Sequence, residues 1–369
     1  MNRRAFLRGT AAAGAVGTVG LAGCLEQLGF EEESAFANPP LVENRPDAVY
    51  LPSSRDAMGM YGMATDGDYA AMLSYTFPHR FWTVEATDEE KELIEITADD
   101  SLHLMVTVWD RETHTVLPVD ARIEIRQDGE LVDIGSSSLW PMISQRMGFH
   151  YGDNIQLPGE GQYTARIQVG PVTLERTGTF AERLGSLGSL EIDFEYVRSD
   201  IHDLSFETIP ESQRGNREAL SLMKMEHGGG DGGHTPMGQA TPLEELPGES
   251  LDAQRSGDAT FAALVSDADR LADGGSYLAV SPRTPYNRII LPFTSLSATV
   301  ERDGTPIYDE PLTLTEALDH EIGHHYGVTV DEIASGDRVT VTVGSSPQVS
   351  RHDGYETAFF DFDDVTYTV

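Results

Sequence analysis

A histidine framed by glycines is the feature of this chain best suited to chemistry, and it occurs twice. Gly148-Phe149-His150-Tyr151-Gly152 returns 175 residues later as Gly323-His324-His325-Tyr326-Gly327. Asp128, Gly129, Leu139 and Gly161 return at the same offset as Asp303, Gly304, Leu314 and Gly336. A spacing kept over so many positions reads as a duplicated unit. In each copy an Asp-Gly turn leads to a loop carrying the shared histidine, and a further glycine opens a strand. Such an imidazole can ligate a transition metal through a ring nitrogen, or simply hydrogen-bond its own loop.

A second pattern overlaps the second copy. His320-Glu321-Ile322-Gly323-His324 fits H-E-x-x-H, in which two histidines one helical turn apart bind zinc and the glutamate activates water. Gly327 stands where the extended motif wants glycine, but the third-ligand position is Val330, which has no donor atom. Thr313 and Glu316 would form a capping box for a helix over the preceding segment, so the local sequence allows the motif. The duplication argues against it. At the common offset His320 and Glu321 correspond to Gln145 and Arg146, and a zinc metalloprotease is therefore the weaker reading.

Soft ligands form two further groups. Met58, Met60 and Met63 lie close together, with Met72 behind them, in a Gly-rich setting that suits either packing or an adaptable ligand loop. Further on, Met223, Met225 and His227 are followed by a Gly-rich run and then His234 and Met237. This stretch reads as a solvated linker or as an auxiliary metal-capturing arm, since thioether and imidazole together suit copper or ferrous iron. Cys24 is the only cysteine, so no disulfide forms within the chain and thiolate metal chemistry is excluded.

The elements that must position these groups are strands. Residues 102–109, 121–126, 162–169 and 190–196 alternate or are rich in β-formers, and residues 50–200 show no sustained helical periodicity. In the second half strands are expected at 275–280, 295–301, 338–343, 355–360 and 364–369. The expected class is all-β, with two immunoglobulin-like β-sandwich domains joined by a flexible linker. The boundaries read as a signal peptide over 1–24, a spacer over 25–47, a metal-binding sandwich over 48–200, a Gly/Met/His-containing linker over 201–257 and a divergent second sandwich over 258–369.

Arg3-Arg4 and the short apolar run that follows fit a twin-arginine export signal, and Leu21-Ala22-Gly23-Cys24 reads as a lipobox. That predicts lipidation at Cys24 and a protein anchored on the extracytoplasmic face of the cell membrane. With 61 acidic and 25 basic residues the formal charge is −36. Such a surface repels nucleic acid and anionic lipid, so neither is expected as a partner, and the near absence of lysine suits a halophilic protein.

Leu139-Trp140-Pro141-Met142 and Gly148 to Ile155, together with Phe77-Pro78-His79-Arg80-Phe81-Trp82 and the closing strand 190–196, resemble the periplasmic Fe2+-transport protein family. The resemblance covers about residues 45–200. It implies an immunoglobulin-like fold that dimerises around iron or copper ions and works beside a membrane permease, without catalysis of its own. It places metal ligands at Met142 and His150, with Met60 and Met63 near an early ligand pair. The family's last histidine, given across its dimer, would fall near Arg176-Thr177, where there is none; in the second copy His352 holds that place, with His325 persisting beside it. The resulting expectation is a dimer or, within one chain, a pseudo-dimer in which His352 completes the first copy's site. The competing reading is a structural or interaction lipoprotein that keeps only the fold.

Overall fold

The computed structural model describes residues 39–369 except 86, 88, 89, 136, 137 and 224–234. The signal peptide with Cys24, most of the spacer, and Met225, His227 and His234 lie outside the described residues.

The chain is nearly all β. The first half contains β1 (Ser54–Asp56), β2 (Gly59–Asp66), β3 (Tyr69–Thr76), β4 (Phe81–Thr83), β5 (Glu92–Ile94), β6 (Leu102–Asp110), β7 (Ala121–Gln127), β8 (Glu130–Val132), β9 (Trp140–Ser144), β10 (Gly148–Ile155), β11 (Gly161–Val169), β12 (Glu175–Arg176), β13 (Gly188–Tyr196) and β14 (Phe206–Thr208). The second contains β15 (Glu249–Ser256), β16 (Ala259–Ser266), β17 (Ser276–Arg283), β18 (Ser295–Arg302), β19 (Thr305–Pro306), β20 (Leu312–Asp319), β21 (Gly323–Val330), β22 (Arg338–Ser345), β23 (Ser350–Arg351) and β24 (Val365–Thr368).

In the first half, a sheet of order β2-β3-β6-β10-β9-β23-β4-β5 packs on a four-stranded sheet of order β13-β11-β7-β8. Alternation explains the smaller sheet. Along β13, Leu190, Ile192, Phe194 and Tyr196 are buried while the intervening residues face solvent, and each such burial contributes about 1.5–3 kcal/mol. β6 behaves differently, being buried along its whole length. Leu102, Leu104, Val106 and Val108 enter the core between the sheets, so His103, Met105 and Thr107 point to the opposite face, which is also closed to solvent.

The second half repeats the plan. β15-β16-β17-β21-β20 run side by side, and β20 turns the corner, pairing β21 through residues 315–319 and β18 through residues 312–314 before β22 and β24 complete the array.

The halves exchange short strands. β23, from the second half, enters the first half's large sheet between β9 and β4, parallel to β9 with Ser350 beside Met142. β12, from the first half, lies parallel to β20 with Glu175 beside Ala317. These pairings are related by the same 175-residue offset. Each exchanged strand is braced by its arginine: Arg351 Nη1 donates to the Ala358 carbonyl and Arg176 Nη1 to the Arg183 carbonyl, seven residues downstream in both cases. Arg351 is fully buried and lies 3.9 Å over the Phe360 ring, an arrangement that offsets part of its desolvation.

Three local expectations differ from the structure. Residues 355–360 form turns rather than a strand, because the Ala358 and Phe359 carbonyls face Arg351 instead of a neighbouring strand. The segment from Thr313 to Asp319 is the strand β20, with no helix to cap. The described parts of 201–257 are packed in place, unlike a free linker. The Met223 amide donates to the Arg146 carbonyl (2.9 Å), the Phe149 amide to the Met237 carbonyl (3.2 Å) and the Ala240 amide to the Arg288 carbonyl (2.7 Å).

Candidate metal centre

Five side chains converge on the face of the first half's large sheet that is turned away from the four-stranded sheet. His103 on β6 and Asn154 on β10 are direct cross-strand partners, and His150 on β10 is the direct partner of Met142 on β9. Because side chains alternate, His150, Gly152 and Asn154 share one face with His103. β23 brings its next residue, His352, onto this face from the second half, its amide donating to the Ile143 carbonyl. His79 precedes β4 and is clamped by Asn154, whose Oδ1 accepts from the His79 amide (3.3 Å) and whose Nδ2 donates to the His79 carbonyl (2.9 Å). Ring centroids lie 4.1 Å apart for His79 and His103, 4.6 Å for His79 and His352, and 5.3 Å for His150 and His352. Ligand atoms of His79, His103 and His352 all fall within 4.8 Å of one another.

The hydrogen-bond partners fix the tautomers. Nδ1 of His79 lies 3.0 Å from the Phe77 carbonyl, that of His103 2.9 Å from Asn154 Oδ1, and that of His150 3.2 Å from the Gly148 carbonyl. An oxygen of this kind only accepts, so each Nδ1 carries the proton and each Nε2 keeps its lone pair. His79 Nε2 then accepts from His352 Nδ1 (2.8 Å), which leaves the lone pair of His352 on Nε2 as well. Nε2 of His103, His150 and His352 is buried without a hydrogen-bond partner. Three orphaned imidazole nitrogens in one place cost about 1–3 kcal/mol each, a debt that a cation would cancel.

Electrostatics favour neutral ligands. His103, His150 and Met142 are fully buried, while His79 and His352 are half-buried. Burial pushes the His150 imidazole down to about 4 and holds His103 and His352 well below the ordinary histidine value, helped by neighbouring imidazoles. Gly152 keeps the centre open. A Cβ added there would lie 2.7 Å from His103 Nε2 and 3.2 Å from Met142 Sδ, in the gap between two ligand atoms. Three free imidazole nitrogens and one thioether, with no carboxylate among them, form a donor set that suits copper or ferrous iron and would poorly hold magnesium or calcium, while His79 Nε2 is engaged in orienting His352.

Of the residues singled out from sequence, Met142, His150 and His352 come together here. Met60 and Met63 do not: they lie 42% and 48% exposed on the edge strand β2, with β3 and β6 between them and His150. His325 is also outside the centre. Its Nδ1 faces the Gly323 carbonyl (2.9 Å) and its Nε2 accepts from the buried Tyr277 hydroxyl (2.9 Å), so no lone pair is left for a metal. Met237 is buried in the core and Met223 is packed against it. His79 and His103, which the sequence does not single out as ligands, are at the heart of the cluster. Alternation with Leu102 and Leu104 puts His103 on the second face of β6, but no local signal says that this face is buried.

The H-E-x-x-H residues are not arranged to share a zinc ion. His320 and Glu321 occupy a hairpin turn and His324 the strand that follows, so the one-turn helical spacing is lost. Glu321 pairs with Arg270, and His324 Nε2 lies 2.7 Å from Glu316 Oε1.

The sequence profile of a family described as Fe2+ transport protein matches residues 114–196, which include Met142 and His150 but not His79, His103 or His352. A second profile, for a domain of unknown function, matches residues 244–368. Among solved structures the chain is similar to FetP of uropathogenic Escherichia coli, at 17% identity and a TM-score of 0.28, over 38% of this chain and 97% of that one. A copper-bound variant of FetP gives 16% identity and a TM-score of 0.28, over 38% of this chain and 93% of that one. No curated protein matches the chain significantly.

Proposed function

We propose that this protein binds one copper or ferrous ion through Nε2 of His103, His150 and His352 with Met142 Sδ, His79 orienting His352 through its Nδ1, and serves metal acquisition outside the cytoplasm. The observation that carries the reading is that Nε2 of His103, His150 and His352 is buried without a partner, on rings from both halves whose centroids lie 5.6 Å apart for His103 and His352 and 5.3 Å for His150 and His352. The Fe2+-transport profile over residues 114–196 supports the same cargo class. On this reading the protein carries its ion without catalysis of its own, in keeping with the Fe2+-transport profile over residues 114–196. Lipidation at Cys24 would hold it at the extracytoplasmic face of the membrane, where it would hand its ion to a permease. The two halves serve as the two members of a pseudo-dimer, the second contributing His352.

Metal analysis of protein purified anaerobically in high salt, followed by titration with Cu(I), Cu(II) and Fe(II), tests this. One equivalent of copper or iron is expected, lost in His352→Ala. Unchanged affinity in that variant, or no stoichiometric metal, would sink the reading.

A further inference from the structure

The metal centre opens toward a cavity of about 110 Å³, which His79 and His352 help to line. That volume holds several waters or one small organic anion. Its walls invert the charge balance of the molecule. Arg55, Arg80 and Arg146 face it against only Asp56 and Asp353, in a chain with 61 acidic and 25 basic residues.

Two of these guanidiniums are engaged. Arg80 grips Asp353 through Nε (3.2 Å) and Nη2 (2.7 Å), and Arg55 grips Glu207 through Nε (3.0 Å) and Nη2 (2.5 Å). Arg146 differs from both. Its Nε is buried with no hydrogen-bond partner, and among the described residues no carboxylate comes within ion-pairing distance of it. Asp56 is the nearest source of negative potential, but its Oδ2 accepts instead from Thr76 Oγ1 (2.6 Å). A half-buried guanidinium with an unused donor fork is a carboxylate receptor. Phe77 and Phe206 supply apolar wall for a short carbon skeleton.

Of the three guanidiniums that line this vestibule, two are neutralised by their carboxylate partners, and Arg146 is left to repel a bare cation before the imidazoles attract it. A cation partly neutralised by an anionic chelator meets the opposite field. We infer that the cavity binds a small carboxylate anion through Arg146, and that metal reaches His79 and His352 as a complex with such a chelator. The first half of this inference stands on the cavity alone, while the second rests on the metal-carrier reading above.

The test uses citrate as probe, at constant high ionic strength, with the full chain. Calorimetry on the metal-free protein should show one citrate per chain, weakened at least tenfold by Arg146→Met, less by Arg146→Lys, and not at all by Arg166→Met on the exposed face of β11. Copper loading should then be faster from Cu(II)-citrate than from the aquo ion, an advantage lost in Arg146→Met. The anion site is overturned if wild-type protein shows no saturable citrate binding, or if both Arg146 variants bind as wild type does. Equal loading rates from the two copper sources overturn the delivery step. Because citrate binding is read without metal, failure of the carrier reading and failure of the anion site give different results.

Discussion

The two halves share a glycine-framed strand and differ in what surrounds the histidine it carries. In both, a positive-φ glycine (Gly148 or Gly323) opens a strand whose histidine is buried and donates Nδ1 to that glycine's carbonyl. Both imidazoles are pushed down to about 4 by burial. What differs is the environment of Nε2. Strand register makes His103 and Tyr277 equivalents, each lying two residues before the cross-strand partner of the framing glycine: Met105 opposite Gly152, and Ala279 opposite Gly327. In the first copy the neighbours are His103, Met142 and His352, and Nε2 has no partner. In the second they are Tyr277, Ala317 and Thr177. The tyrosine fills the space above Gly327 and donates to His325, while Thr177 turns to Asp319 Oδ2 (2.8 Å). The pair teaches that what equips a buried histidine for ligation is the lone pair its neighbours leave free; loop and tautomer are common to both.

The largest expected effect breaks this comparison directly. His150→Ala should abolish stoichiometric metal binding, a loss greater than the roughly 10–100-fold that removing a ligand's supporting hydrogen bond costs. His325→Ala should leave metal stoichiometry and affinity unchanged. Equal loss in both variants, read by equilibrium titration, would mean that the copies are functionally alike.

Acidification of the metal-free protein comes next, and here the copies should behave alike. A histidine held at about 4 in the fold and near 6.5 when unfolded is neutral in both states above pH 6.5, so its contribution is intact there. Between about 6.5 and 4 only the unfolded chain takes up the proton, and stability falls by about 3 kcal/mol per histidine as pH drops through that window. His150→Gln and His325→Gln should each flatten the pH dependence of the denaturation midpoint by the same amount. A flattening confined to one variant would show that burial differs between the sites. Bound metal should remove the dependence at His150 and leave it at His325.

How much of this was legible in the sequence follows from how far apart the determining residues lie. Local alternation marked β11 and β13, and the 175-residue offset tied His352 to the missing position beside Thr177, because the exchanged strands β12 and β23 keep their arginine in both copies. His79 and His103 escaped because nothing near them in sequence says that the second face of β6 is buried. That burial is made by β23 and the packed residues around Met237, more than 130 positions away. Met60 and Met63 misled for the converse reason. Thioethers close in sequence look like a ligand pair, but an edge strand holds them away from the sheet's middle.

The smallest effect sharpens the role of the tyrosine. Tyr277→Phe removes the donor to His325 Nε2 while keeping the ring that fills the space above Gly327. The loss is one buried hydrogen bond plus an unsatisfied nitrogen, about 1–3 kcal/mol in chemical denaturation. The second copy would then hold an imidazole as free as His150, yet with Ala317 and Thr177 as neighbours it has one donor where the first copy has four. Metal stoichiometry should therefore stay at one. A second equivalent appearing in Tyr277→Phe would mean that a free lone pair alone suffices, and that the convergence of His79, His103, Met142 and His352 is not what makes the first site.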